Sequence, residues 1–212
     1  MRTKNFYFFI ILWCGYFFLY FLLNNLLNLD EKRIINITKD FTEEYLLKHL
    51  EYQEKRRGLF YMILPFFILT KIFFVGFLIN FINLFGIKIT LGKAMNIVLK
   101  AESIFLIALL VKFLKFYYFT NDFSIKDFNF YYPLSLINYK EAISTEKWLA
   151  YPLQLCNLFE VIYWGFLAWG IWELADKKIS YIKSFGYVAL TYGIGLLFWV
   201  GVVCFLILSV SY

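Results

Sequence analysis

Residues 59–85 read LFYMILPFFILTKIFFVGFLINFINLF, a run whose single charge is Lys71. Crossing the hydrocarbon core of a bilayer takes about 20 apolar residues at 1.5 Å rise per residue, and this run has that length with residues to spare. An unpaired backbone amide is too costly in hydrocarbon, so the run must be helical. Four more runs of similar length accompany it, at 6–27, 97–119, 148–175 and 181–210. None alternates apolar with polar residues as the strands of a membrane barrel do. The sequence therefore predicts an all-α fold, a polytopic transmembrane helix bundle of about five transmembrane helices. Its expected organisation is an N-terminal transmembrane helix within 1–28, a polar mixed-charge amphipathic helix over 29–58, and a four-helix transmembrane core over 59–212 that includes an interfacial aromatic loop at 120–147.

Composition agrees with lipid as the solvent. Of 212 residues, 62% are hydrophobic, 24% aromatic and 17% charged, too little polar surface to cover a water-soluble domain of this length. The net charge of +6 and the pI near 9.0 do not point to nucleic acid. Lys and Arg are spread over every connecting segment, where they hold anionic headgroups and fix topology. The lipid bilayer is the expected partner, and a multi-pass place in the cell membrane, a bacterial inner membrane, is the expected location. Met1, Arg2 and Lys4 precede the first run as in a signal peptide. That run is too long for a signal core and ends LNNLLN without a small-x-small cleavage site, so an uncleaved anchor is expected. With the N-terminus inside, eight basic residues of the connecting segments fall on the cytoplasmic side and ten on the other. The positive-inside rule does not decide between these, and the basic flank of the first helix favours a cytoplasmic N-terminus.

The polar segment is a solvated helix by its pattern. Asp40 and Glu43 form a capping-box-like start, Phe41, Tyr45, Leu46 and Leu50 give a narrow apolar stripe, and Gly58 offers a stop or hinge. Such a helix lies on its own protein or on headgroups, or docks a partner. The aromatic loop, with Phe123, Phe128, Phe130, Tyr131, Tyr132 and Tyr139, is expected to lie in the headgroup layer, and Ser144 or Thr145 to cap the fourth helix.

Catalytic chemistry is sparse. His49 is the single histidine and lies in the polar segment, which excludes an intramembrane His triad or a multi-His metal site. Cys14, Cys156 and Cys204 fall in different runs without CxxC spacing and read as structural thiols. No phosphate-cradling glycine loop, GxSxG or HExxH occurs, so no catalytic residue, metal or cofactor is expected. Asn36-Ile37-Thr38 matches a glycosylation sequon, a short match that carries weight only in a secretory eukaryotic context.

The informative residues are the ionisable ones at membrane depth: Lys71, Glu102, Lys112, Lys115 and Glu160. Each costs about 2.5 to 3.5 kcal/mol at a helix centre even on insertion scales, so they should face the bundle interior and pair. The natural pairing is Glu160 with Lys112 or Lys71, Glu102 is a second candidate partner, and Lys115 can snorkel. One Glu satisfying one Lys leaves the interior positive, which suits an oxyanion or a lipid headgroup. Helix packing is expected at small residues, Gly186, Ala189 and Gly193 on the fifth helix and Gly165 and Ala168 on the fourth. The short loop 176–180 makes these two helices an antiparallel hairpin where the two stripes meet.

The run FGIKIT at 85–90, YPLSL at 132–136 and WLAYPLQ at 148–154, continuing NLFE at 157–160, resemble the Yip1-like five-helix membrane proteins, in particular uncharacterised bacterial proteins of that type. The resemblance covers residues from about 85 to the C-terminus. The chain has no equivalent of the Asp-Leu-Tyr-Gly-Pro segment of the eukaryotic members, so their trafficking roles do not carry over. The resemblance implies a five-helix fold and a non-enzymatic membrane role. The leading expectation is a scaffold or assembly partner within the bilayer, in company with another membrane protein or a second copy of the chain. A permease or permease subunit for an anionic solute or lipid headgroup is the alternative, and an intramembrane lipid-modifying enzyme with Glu160 as its central carboxylate comes last. A cavity reaching Lys71, Lys112 and Glu160 would favour transport over a scaffold.

Overall fold

The long apolar runs fold as helices that pack side by side, in a computed structural model that describes residues 3–30, 32–33, 43–120, 122–139 and 147–211. Regular structure among the described residues is helical, with one isolated antiparallel bridge between Ser135 and Asn157. The Asn36 sequon, the Asp40 capping box and the Ser144 or Thr145 cap lie outside the described residues. Three helical stretches are long and apolar enough to cross a bilayer: Lys4–Leu26, Lys55–Phe85 and Tyr181–Val210. Their outward residues are large and apolar, as at Phe66, Phe73, Leu197 and Phe198, which suits contact with lipid.

Helix α1 (Thr3–Leu26) packs along α2 (Glu43–Asn80). The latter corrects one expectation: Gly58 neither stops nor bends the chain into a separate element, because the polar segment and the second apolar run form a single helix of 38 residues. Gly58 has open space around its Cβ position, so its lack of a side chain serves no contact and the i→i−4 ladder runs on through it. A short 3-10 turn, Phe81–Phe85, closes α2. Asn83 then clamps the hairpin, accepting from the Ile89 amide at 2.7 Å and donating to the Ile89 carbonyl at 2.9 Å.

The third and fourth runs are broken helices. Helix α3 (Leu91–Ala101) gives way at Glu102 to α4 (Ser103–Tyr118). The fourth run divides into α6 (Lys147–Leu155) and α7 (Leu158–Leu174). Asn157 causes that division: it is extended, its Oδ1 accepts from the Glu160 amide at 2.8 Å as an N-cap, and its Nδ2 donates to the Gln154 and Leu155 carbonyls that end α6. Remaining backbone groups at the break are paired by the preceding loop. Leu136 donates its amide to the Cys156 carbonyl at 3.0 Å, and Leu158 donates to Leu134 at 3.2 Å. Between α4 and α6 lies α5 (Ile125–Phe130), opened by a capping box of Ser124 and Asp127.

Helices α8 (Tyr181–Val188) and α9 (Ile194–Ser211) continue through a π segment at Ala189–Gly193. As expected, α7 and α8 pack as a hairpin. The main core gathers Leu12, Ile72, Ile79, Val98, Tyr163 and Leu167. A second cluster draws on the aromatic loop: Phe123, Ile125 and Phe128 turn inward onto Phe113, Phe116, Leu23 and Leu27. The capping box fixes α5 so that Ile125 and Phe128, three apart, share its inner face.

Candidate functional site

Between these helices lies a chamber of about 1290 Å³, lined by α1, α2, α4, α6, α7 and α9. Lys71, Glu102, Lys112 and Glu160 all line it, so four of the five singled-out ionisable residues converge on one space. Lys115 is the exception, held outside with its ammonium 3.6 Å from the centre of the Tyr131 ring.

The pairing falls to the second candidate, Glu102, and not to Glu160. Lys71 Nζ lies 2.7 Å from Glu102 Oε1 and 3.8 Å from the centre of the Phe105 ring. Glu102 retains only 3% of its surface, and Tyr16 on α1 donates weakly to the same oxygen at 3.5 Å. Glu160 meets neither Lys112 nor Lys71. Instead its Oε1 accepts from the Tyr192 hydroxyl at 2.7 Å and from Trp164 Nε1 at 3.0 Å. The reason is local: Glu160 sits in the first turn of α7, and the π segment rotates Tyr192 toward it while Trp164 comes from the next turn of its own helix. A carboxylate at a helix N-terminus is also favoured by the helix dipole. Lys112 has its ammonium 4.2 Å from the centre of the Phe128 ring and donates to no carboxylate among the described residues.

Glu102 Oε2 and the hydroxyl of fully buried Tyr163 are both without a hydrogen-bond partner among the described residues. They belong to one connected group, since the Tyr163 ring stacks near Phe105 at 4.8 Å and Tyr192 at 5.5 Å. The floor of the chamber is thus a band of Tyr16, Glu102, Lys71, Tyr192 and Glu160, with Tyr163 buried beneath it and one lysine set against two carboxyl groups.

Above the floor the chamber turns positive. Arg33, Arg56 and Arg57 line its other end. Arg57 precedes Lys71 on one helix, about 21 Å away at 1.5 Å per residue. Asp30 meets Arg57 at 2.9 Å and Arg33 at 3.3 Å. Tyr132 also lines the chamber, and burial pushes its phenol up to about 12, so the O–H remains a donor at neutral pH. Among the described residues no group of three His, Cys, Asp or Glu side chains is assembled as a metal site.

The small residues of these two helices meet large side chains. A Cβ on Gly193 would come within 2.6 Å of Trp164, and Gly165 faces the Tyr181 hydroxyl, which donates to its carbonyl at 3.1 Å. Ala168 is buried, whereas Gly186 faces open space. Sequence reasoning passed over Tyr16, Tyr192 and Trp164 and read Tyr132 only as part of the aromatic loop, although rings with a polar edge inside phenylalanine-rich runs are the trace of such a site. No protein family, curated protein or solved structure compared with the chain matches it.

Proposed function

We propose that this chain is an integral membrane protein of five spans that works as a permease, or a permease subunit, for a solute carrying an anionic group. In this arrangement α1, α2, α3 with α4, α6 with α7, and α8 with α9 each cross the bilayer once, in a bacterial inner membrane. The observation that carries the reading is the chamber reached by Lys71, Glu102, Lys112 and Glu160. Ionised groups at membrane depth line substrate paths, and non-helical backbone at that depth is tolerated where it faces a cavity or is buried in protein. The extended backbone at Asn157 meets that condition, and a helix interrupted beside a central site is a recurrent feature of carriers. A scaffold or assembly role needs outer surfaces and gives no reason for such a chamber, so transport is placed ahead of it. The likeness to Yip1-like proteins bears on the five-helix layout and leaves the solute open.

Solvent access tests the reading. With Cys14, Cys156 and Cys204 replaced by Ser, Thr70→Cys on the chamber wall should react with a membrane-impermeant thiol reagent, and Phe73→Cys on the outer face should not. A Thr70→Cys protein that stays unlabelled in both membrane orientations has a dry chamber, and the transport reading is then lost.

A further inference from the structure

We propose that the solute is an anionic amphiphile, its acidic headgroup bound by Lys112 and its hydrocarbon tail laid along the chamber face of α2. This rests on the permease reading and adds the class of solute to it.

The first ground is a cation without an anion. Lys112 is a three-donor ammonium in a partly buried position, and its contact is the ring of Phe128. Both carboxylates of the chamber are engaged elsewhere, Glu102 by Lys71 and Glu160 by Tyr192 and Trp164. A cation in a low-dielectric site is costly until something negative arrives, and a bound anion supplies that. Tyr132 lines the same chamber as a neutral donor. The arginines at the far end add positive field: Asp30 answers Arg33 and Arg57, while Arg56 lies over the Tyr52 ring at 5.7 Å. The chamber lining as a whole carries more basic than acidic side chains, Arg33, Arg56, Arg57, Lys71 and Lys112 against Glu102 and Glu160, and an excess of one sign between low-dielectric walls draws in the opposite sign.

The second ground is the wall. Phe60, Leu64, Phe67 and Phe74 of α2 recur at helical spacing on the chamber side, and Leu196 and Trp199 of α9 line the same space. Such a surface offers nothing to a bare oxyanion, which would leave it wetted at a cost of about 25 cal/mol for each Å² of apolar area. The volume of about 1290 Å³ also exceeds the roughly 300 to 1,000 Å³ that takes a drug-sized ligand, far more than a bare oxyanion fills. Head and tail together use both parts of the chamber.

The same phosphate chemistry is found on a lipid and on free phosphate, and binding separates the two. Full-length protein in an uncharged maltoside detergent is titrated with radiolabelled oleoyl lysophosphatidic acid, in competition with mono-oleoylglycerol or inorganic phosphate. Saturable binding is expected, with little competition from the neutral glyceride or from phosphate. Lys112→Met should weaken it about tenfold or more, the size of one lost charge-assisted contact, and Lys112→Arg should stay within about threefold of wild type. Phe67→Ala with Phe74→Ala should weaken it while leaving the folded yield intact. Competition by phosphate as strong as that by the lipid overturns the tail, unchanged affinity in Lys112→Met overturns the anchor, and absence of saturable binding to folded protein overturns both. None of these results alters the labelling of Thr70→Cys, so the permease reading stands or falls separately.

Discussion

Glu102 and Lys71 carry the most consequential contact in the chain, an ion pair of 2.7 Å between a carboxylate with 4% side-chain exposure and an ammonium that opens onto the chamber. Breaking a buried pair costs more than removing it whole, because a lone charge is left behind. Lys71→Met with Glu102→Leu should therefore lower thermal stability in detergent by less than the sum of the two single losses. The coupling should be on the order of 1 to 3 kcal/mol, and additive losses would refute it. Tyr192→Phe removes the shorter of two bonds to Glu160 and should cost about 1.5 to 3 kcal/mol in the same assay, with Trp164 unable to compensate. Asp127 lies outside the spans, and the Ser124 amide, then the Ser124 hydroxyl, hold its carboxyl below the ordinary carboxylate range. The folded value is the lower one, so the stabilisation is full above the unfolded value and is lost as pH falls through the folded one. Hydrogen exchange in α5, corrected for intrinsic rates, should accelerate below about pH 4 in wild type and show no such step in Asp127→Asn. At this scale the sequence exposed which residues matter, since Lys, Glu and Arg are rare in apolar runs. It could not assign partners, because Lys71 and Glu102 are 31 positions apart and any of three lysines could have satisfied either carboxylate.

The helices were legible where hydrophobicity is continuous and obscure where backbone details intervene. Run length alone located 59–85 and 181–210, and both are helical throughout. The division of the fourth run was not foreseen, because it depends on a single side chain that caps in place: Asn157 can end one helix and start the next only when Leu134–Leu136 arrives to pair the freed backbone. Asn157→Ala removes the cap from α7 and should cost about 1 kcal/mol, with loss of solvent protection at Leu158–Glu160 as its local sign. Glycines show the same dependence on context. Gly193→Ala should destabilise the α7 and α8 hairpin because its methyl meets Trp164 at 2.6 Å, whereas Gly186→Ala faces open space and should gain up to about 1 kcal/mol from helix propensity. Equal losses at the two positions, read by thermal melting, would show that spacing and not contact decides.

For the whole molecule, the five-span arrangement makes a prediction that a three-span one does not. If the broken third and fourth runs cross, residues 122–139 and residues 176–178 lie on opposite sides of the membrane; if only the three uninterrupted stretches cross, they lie on the same side. In the cysteine-free background, Ser124→Cys and Lys178→Cys should react with an impermeant reagent from opposite faces of sealed vesicles. The class of fold followed from composition and run length, but the chamber did not, because it is a property of how five runs lean together. The Lys71 pair also constrains how the protein is made. Lys71 leaves the ribosome 31 residues ahead of Glu102, about two to six seconds at ordinary elongation rates, so α2 is made before the carboxylate that answers its charge exists. The second segment therefore completes its packing only when the third arrives, and a pause in translation between them should raise the fraction of chains degraded before they are complete.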